Sequence, residues 1–120
     1  MGVYVDGFVL PLPKKNIEAY RKMAKKAGKV WMDHGALAFH ENVADDVKSG
    51  KWTSFPQAVK LKKGELVVFS WIVFKSRQQR DTVNAKVMKD PRLERMMDPK
   101  NSPFDSRRMF WGGFKELVAL

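Results

Sequence analysis

From Leu66 to Phe74 the chain is almost unbrokenly apolar, with Ser70 its one hydroxyl and Glu65 and Lys75 at its charged ends. The run is β-branched and aromatic and too short to span a bilayer. It lies between a Lys63-Gly64 turn and a Ser76 cap, which predicts a strand buried on both faces. Val3 to Leu12 alternates as a first strand, with Tyr4, Asp6, Phe8 and Leu10 on one face and Val3, Val5, Gly7 and Val9 on the other. Pro11 and Pro13 are expected to end its ladder pairing. Ala36 to Val43 predicts another strand, with Leu37, Phe39, Glu41 and Val43 on one side and Ala36, Ala38, His40 and Asn42 on the other. A last strand is entered near Met109 and continues towards Leu120; Gly112 and Gly113 within it imply a bulge or a close approach by another group.

Between the first two strands, Ile17, Tyr20, Ala24, Ala27 and Trp31 fall at intervals of three and four, one stripe of an amphipathic helix from Lys14 to Asp33. Ser76-Arg77-Gln78-Gln79 matches a capping box, opening a helix that runs to Lys89. Its apolar side is thin (Val83, Val87, Met88), so Arg80 and Asn84, one turn apart, are expected to point partly inward. Asp90-Pro91 suits the start of a short helix through Met97, anchored by Leu93, Met96 and Met97. Residues 44 to 63 form a long connection, with a short strand expected at Ala58 to Lys62.

The order strand, helix, strand, strand, helix, strand is the split β-α-β pattern of an α+β ferredoxin-like sandwich. Right-handed crossovers give an antiparallel sheet of order four, one, three, two with both helices on one face. Two helices cover only one face, yet the central strand is apolar on both. A second copy of the sheet, in a homodimer closing a barrel-like core, is the economical cover.

At 120 residues the chain is one domain, residues 1–120. It has no cysteine, which excludes disulfides and thiolate chemistry and suits a cytoplasmic location. The N-terminal stretch does not read as a secretory signal, because Asp6, Pro11 and Pro13 interrupt it. The net charge of +10 raises nucleic acid as a partner. Residues 14 to 29 carry seven Lys or Arg against one acid, and residues 48 to 63 carry five Lys against none. Lys22, Lys25, Lys26 and Lys29 are the candidate polyanion contacts; a solvated helix face is the simpler reading, since no aromatic residues interleave with them.

His40 is a candidate general base because its ordinary pKa lies near neutrality, and Asp6 is the acid that could orient it. Ser70, Arg80, Asn84, Asp105 and Arg108 are candidate ligand-binding groups, with Asp105 beside Arg107 and Arg108 suggesting an ion pair or an anion site. Asp45 and Asp46 resemble a metal pair only superficially, because no further ligand stands at a recognised spacing, and no metal or cofactor is expected.

Asp33-His34-Gly35-Ala36-Leu37, Ser54-Phe55-Pro56 with Ala58-Val59, Val67 to Ile72, Arg80-Asp81 with Asn84, Asp90-Pro91-Arg92, and Pro103-Phe104-Asp105 with Arg108-Met109 and Gly112-Gly113-Phe114 resemble the YbaA-like bacterial proteins, domain of unknown function 1428. The resemblance spans nearly the whole chain and implies a dimeric α/β barrel, without an established activity or catalytic residues. Some relatives carry a label tied to signal recognition particle RNA, which no RNA-recognition motif here supports. Three functions are consistent with the sequence: a small-molecule binding protein or cofactor-independent enzyme with its cleft between sheet and helices or within the barrel, a polyanion binder, and a dimeric module without chemistry.

Overall fold

The computed structural model describes residues 2–96 and 98–120. Four strands, β1 (Tyr4–Pro13), β2 (Ala38–Val43), β3 (Glu65–Phe74) and β4 (Phe110–Lys115), form one antiparallel sheet of order β2-β3-β1-β4. Helices α1 (Ile17–Asp33) and α3 (Arg77–Met88) are the two crossovers, and α2 (Phe55–Ala58) and α4 (Pro91–Met96) are short. This is the α+β ferredoxin-like arrangement and strand order that the sequence predicts.

The first strand runs through both prolines, and the sheet explains why it can. β4 pairs with β1 only as far as Val9, opposite Phe110, so beyond that point β1 has a neighbour on one side alone. The Lys14 amide donates to the Gly64 carbonyl on the β3 side at 2.8 Å, which by the alternation of the strand turns the nitrogens of Pro11 and Pro13 towards the side that β4 has left. At its other end β4 stops at Lys115 rather than continuing to Leu120, because its last bond, Glu116 to the Val3 carbonyl, meets the beginning of β1. No bulge forms at its glycines. Gly112 and Gly113 pair regularly with Gly7 and Asp6, and the close approach is the reason for Gly113: a Cβ there would overlap the Tyr4 hydroxyl and the Arg80 guanidinium.

The expected strand at Ala58 to Lys62 is a short helix and turn instead. Ser54 caps α2 by accepting from the Gln57 amide and Pro56 sits in the first turn, so helix-start chemistry outweighs the strand preference of Val59. Ser76 likewise accepts from the Gln79 amide at 3.1 Å, while the Gln79 side chain accepts from the Lys75 amide rather than from Ser76 itself. Gly35 ends α1 at φ 114°, a conformation that costs glycine little, and its carbonyl accepts from Gln79 Nε2, tying the first crossover to the second. Asp90 caps α4 through the Arg92 amide. The expected extension of α4 to Met97 lies outside the described residues.

Both long helices pack on one sheet face. Val30 of α1 and Val83 and Val87 of α3 bury against Tyr4, Ile72 and Phe74, and Tyr20 and Ala24 of α1 cover Leu10, Leu12 and Val68. Gly28 lets α1 sit directly on β2, since a Cβ there would come within 2.7 Å of the Phe39 ring. The opposite face is covered only at one end, where Val59 packs on Val9 and Val67. Across the rest, Phe69, Phe110 and Phe114 remain 44%, 46% and 64% exposed. A row of rings runs over this open face, with His40, Trp71, Phe69 and Phe55 in successive contact at centroid separations of 5.3, 5.4 and 5.9 Å.

Candidate functional site

Period-two alternation sorts the candidate residues by face. Asp6 pairs with Ile72, and Ser70 pairs with Phe8 on one side and Glu41 on the other, so Asp6, Ser70 and Glu41 all turn towards the helices. His40 pairs with Trp71 and turns the other way, exposed on the open face. The sheet therefore stands between His40 and Asp6. The proposed base and its orienting acid do not meet, and His40 stacks on Trp71 instead.

On the helix side two polar groupings form. The first is built on Asp6, which is 1% exposed. Asn84 Nδ2 donates to Asp6 Oδ2 at 3.2 Å, and Asn84 Oδ1 accepts from Trp31 Nε1 at 2.9 Å. Arg80 donates from Nη2 to the Tyr4 hydroxyl at 3.0 Å, lies over the Tyr4 ring, and brings Nε to 3.4 Å from Asp6 Oδ1. The thin apolar side of α3 thus turns Arg80 and Asn84 inward as the sequence predicts. Burial pushes the Asp6 carboxyl above its ordinary value, and the Asn84 hydrogen bond and the Arg80 charge pull against that.

The second grouping was not singled out by sequence. Tyr20 donates to Glu41 Oε1 at 2.7 Å, and Ser70, 4% exposed, stands beside Glu41 as its neighbour across the β2–β3 pair. Among the described residues Glu41 makes no ion pair, and burial raises its pKa against the pull of the Tyr20 and Ser70 hydroxyls. Burial beside that carboxylate likewise pushes the Tyr20 hydroxyl up. A carboxyl on the apolar side of an alternating strand, among Phe39 and Val43, was the available signal.

Tyr20 and Glu41 line a cleft of about 610 Å³ between α1 and the edge strand β2. Its apolar wall includes Ile17, Ala24, Met32, Phe39, Val43 and Val68, and Arg21 and Lys25 stand along the helix side. This volume is within the roughly 300–1,000 Å³ usual for small-molecule sites. A carboxyl that is bonded by a buried hydroxyl and faces an apolar cleft can bind a polar group of a ligand or accept its proton.

Asp105 and Arg108 serve elsewhere. Arg108 makes a two-point contact with Glu65 at 2.8 and 2.7 Å, donates to the Lys60 carbonyl at 3.1 Å, and bonds Asp105 at 3.1 Å. These contacts clamp the turn before β3 to the loop before β4, and the Asp105 bond is the local ion pair that the sequence suggests as one of two readings. The Arg108 hydrogen bonds hold the Glu65 carboxyl below its usual range, and Arg107 followed by Arg108 brings Asp105 to about 2.

Of the basic residues on α1, Lys25 belongs to the first cleft, Lys22 is exposed, and Lys26 and Lys29 line a second cleft of about 470 Å³ with Arg92, Arg95 and Met96 of α4. Asp45 and Asp46 are exposed, and among the described residues no three His, Asp or Glu side chains gather to hold a metal ion. No described helix is long and apolar enough to cross a membrane.

The fold and its open apolar sheet define a ferredoxin-like α+β protein of the kind seen in two solved structures. A nipsnap family protein with unknown function from Agrobacterium tumefaciens superposes with a TM-score of 0.58 at 14% identity, covering 96% of this chain and 88% of that one. A dimeric ferredoxin-like protein from an uncultured marine organism gives 0.55 at 12% identity, covering 100% and 98%. Residues 3–106 match the family described as "Protein of unknown function (DUF1428)", and the chain belongs to that family. It is 45% identical over 115 residues to the uncharacterized protein YbaA of Escherichia coli K12, covering 96% of this chain and 97% of the relative, and equally to YbaA of Shigella flexneri.

Proposed function

We propose that this protein is a homodimeric small-molecule binding protein or cofactor-independent enzyme, with its site in the cleft between α1 and β2. The observation that carries the reading is the Tyr20–Glu41–Ser70 cluster. A carboxyl bonded by one tyrosine hydroxyl, beside a buried serine and with no ion pair among the described residues, is costly to bury for stability alone, and here it faces a cleft of ligand size. In this reading Glu41 receives a proton or a hydrogen bond from the ligand, while Tyr20 and Ser70 position it. Ser70, alone among the residues first considered for ligand binding, belongs to this cluster; Asp6, Arg80 and Asn84 support the sheet and α3 beside it. Native mass spectrometry of the purified protein tests the reading. A retained small molecule, lost in Glu41→Gln, supports it; an empty wild-type protein that also fails to take up any member of a metabolite library would leave a dimeric module without chemistry.

The dimer uses the open sheet face. Phe69, Trp71, Phe110 and Phe114 would be covered by the same residues of a second copy, and at roughly 25 cal/mol per Å² their burial amounts to several kcal/mol. The solved ferredoxin-like relative described as dimeric supports this assembly. A cytoplasmic setting accords with a chain that has no cysteine.

A second reading, polyanion binding, is favoured by one observation. The cleft between α1 and α4 gathers Lys26, Lys29, Arg92 and Arg95 around Met96. RNA retained on a filter at low salt, with affinity falling steeply as salt rises, supports it. Absence of retention at low salt removes it.

A further inference from the structure

The cleft of the proposed ligand site has a direction and a polarity, and together they define a chemical class. Its helix side runs from Ile17 to Met32, sixteen residues of α1, or roughly 22 Å for the steps between them at about 1.5 Å each. Along that length the wall is apolar, and Gly28 keeps the helix backbone close to the Phe39 ring, so the cleft is long and shallow rather than round. Such a shape favours a chain or a flat ring system over a compact sugar or nucleotide.

The polar groups are unevenly placed. Arg21 and Lys25 stand one helical turn apart on the same side of α1. Arg21 is partnered by Glu18 at 3.2 Å in an exposed pair that water screens. Lys25 makes no ion pair among the described residues. On the strand side, Glu41 accepts from Tyr20, and Asn42 donates to the Phe69 carbonyl at 3.1 Å. The cations of this cleft therefore sit on the helix side, midway along its wall, while its carboxyl, Glu41, stands on the strand side.

Resting on the reading that this cleft is the ligand site, we infer that its ligand is an amphipathic anion: an apolar chain or ring bearing one carboxylate and one hydroxyl, the body lying along Ala24, Gly28, Met32, Phe39 and Val43, the carboxylate meeting Lys25 and Arg21 and the hydroxyl donating to Glu41. Apolar contact supplies most of the affinity, and the two cations select the charge of the head group.

Three probes of equal chain length separate the class from the site: octanoate, 1-octanol and octylammonium, titrated by calorimetry and by amide chemical shifts. Octanoate is expected to bind about ten-fold more tightly than 1-octanol, the effect of one charge-assisted hydrogen bond, with shifts centred on Ala24 and Gly28. Lys25→Gln, an exposed substitution, is expected to reduce that preference at least several-fold, whereas Lys86→Gln on the exposed side of α3 leaves it intact. If 1-octanol or octylammonium binds as tightly as octanoate, the anionic class is wrong while the cleft remains a ligand site. If all three bind only away from Ala24 and Gly28, or none binds at millimolar concentration, the cleft itself is not the ligand site.

Discussion

The Tyr20 hydroxyl, carried by α1, donates to Glu41 of β2 across 2.7 Å, joining the first helix to the edge strand through a hydrogen bond to a carboxyl that makes no ion pair among the described residues. Burial raises the pKa of Glu41, so the folded state holds its proton at pH values where the unfolded chain has released it. Stability contributed by this group is present below the ordinary glutamate range, about 4.3, and is lost as pH rises through the raised folded value. Glu41→Gln keeps an acceptor for Tyr20 without the charge. The variant is expected to be at least as stable as wild type at pH 7, with the difference shrinking as pH falls towards 4, and to lose ligand binding. Urea denaturation across that range is the check; a variant clearly less stable at pH 7 would show that the carboxylate stabilises the fold and is not held there for function.

The Arg108 clamp predicts the opposite slope. Glu65 and Asp105 both have depressed pKa values, so their contribution is present above the ordinary carboxylate range and is lost as pH falls towards about 2. Arg108→Ala is expected to cost about 2 kcal/mol at neutral pH, by leaving the mostly buried Glu65 carboxylate without its two-point partner. It should also flatten the loss of stability between pH 4 and 2. Chemical denaturation of both proteins at several pH values measures this, and an unchanged acid profile would mean that the clamp does not govern it.

Gly28→Ala sets two effects against each other. Alanine gains about 1 kcal/mol of helix propensity over glycine, but its Cβ would reach 2.7 Å from the Phe39 ring. Overpacking of this kind costs typically 1–3 kcal/mol, so a net loss of about 1 kcal/mol is expected, recovered when Phe39→Leu is added. Thermal denaturation of the single and double variants decides it.

Phe69→Lys puts a charge in the middle of the open sheet face without touching the helix-side core. The expected result is a monomer with near-native circular dichroism, where the wild type sediments as a dimer. A wild-type monomer at micromolar concentration in analytical ultracentrifugation would remove the second copy as the cover for this face.

The fold was legible because each element announces itself locally. Alternation marks β1 and β2, the unbroken run from Leu66 to Phe74 marks the doubly apolar β3, and Ser76 marks the start of α3. Ala58 to Lys62 misled because Val59 favours a strand while the deciding signals, Ser54 and Pro56, lie just upstream. The candidate site was less legible. Period two puts Asp6 and His40 on definite faces of their own strands, but which faces coincide depends on register, and register belongs to the assembled sheet. Glu41 and Tyr20 are twenty-one positions apart, and their meeting depends on how α1 is rotated over β2, which no local spacing encodes.

Where β4 parts from β1 after Val9, the end of β1 from Leu10 to Pro13 keeps β3 as its one strand neighbour, and this border is packed over, with Pro11 fully buried. Pro11 and Pro13 stand on that border with no N–H to offer. At these alternate positions there is no amide left to satisfy away from water, so the ladder can stop on this side without another strand.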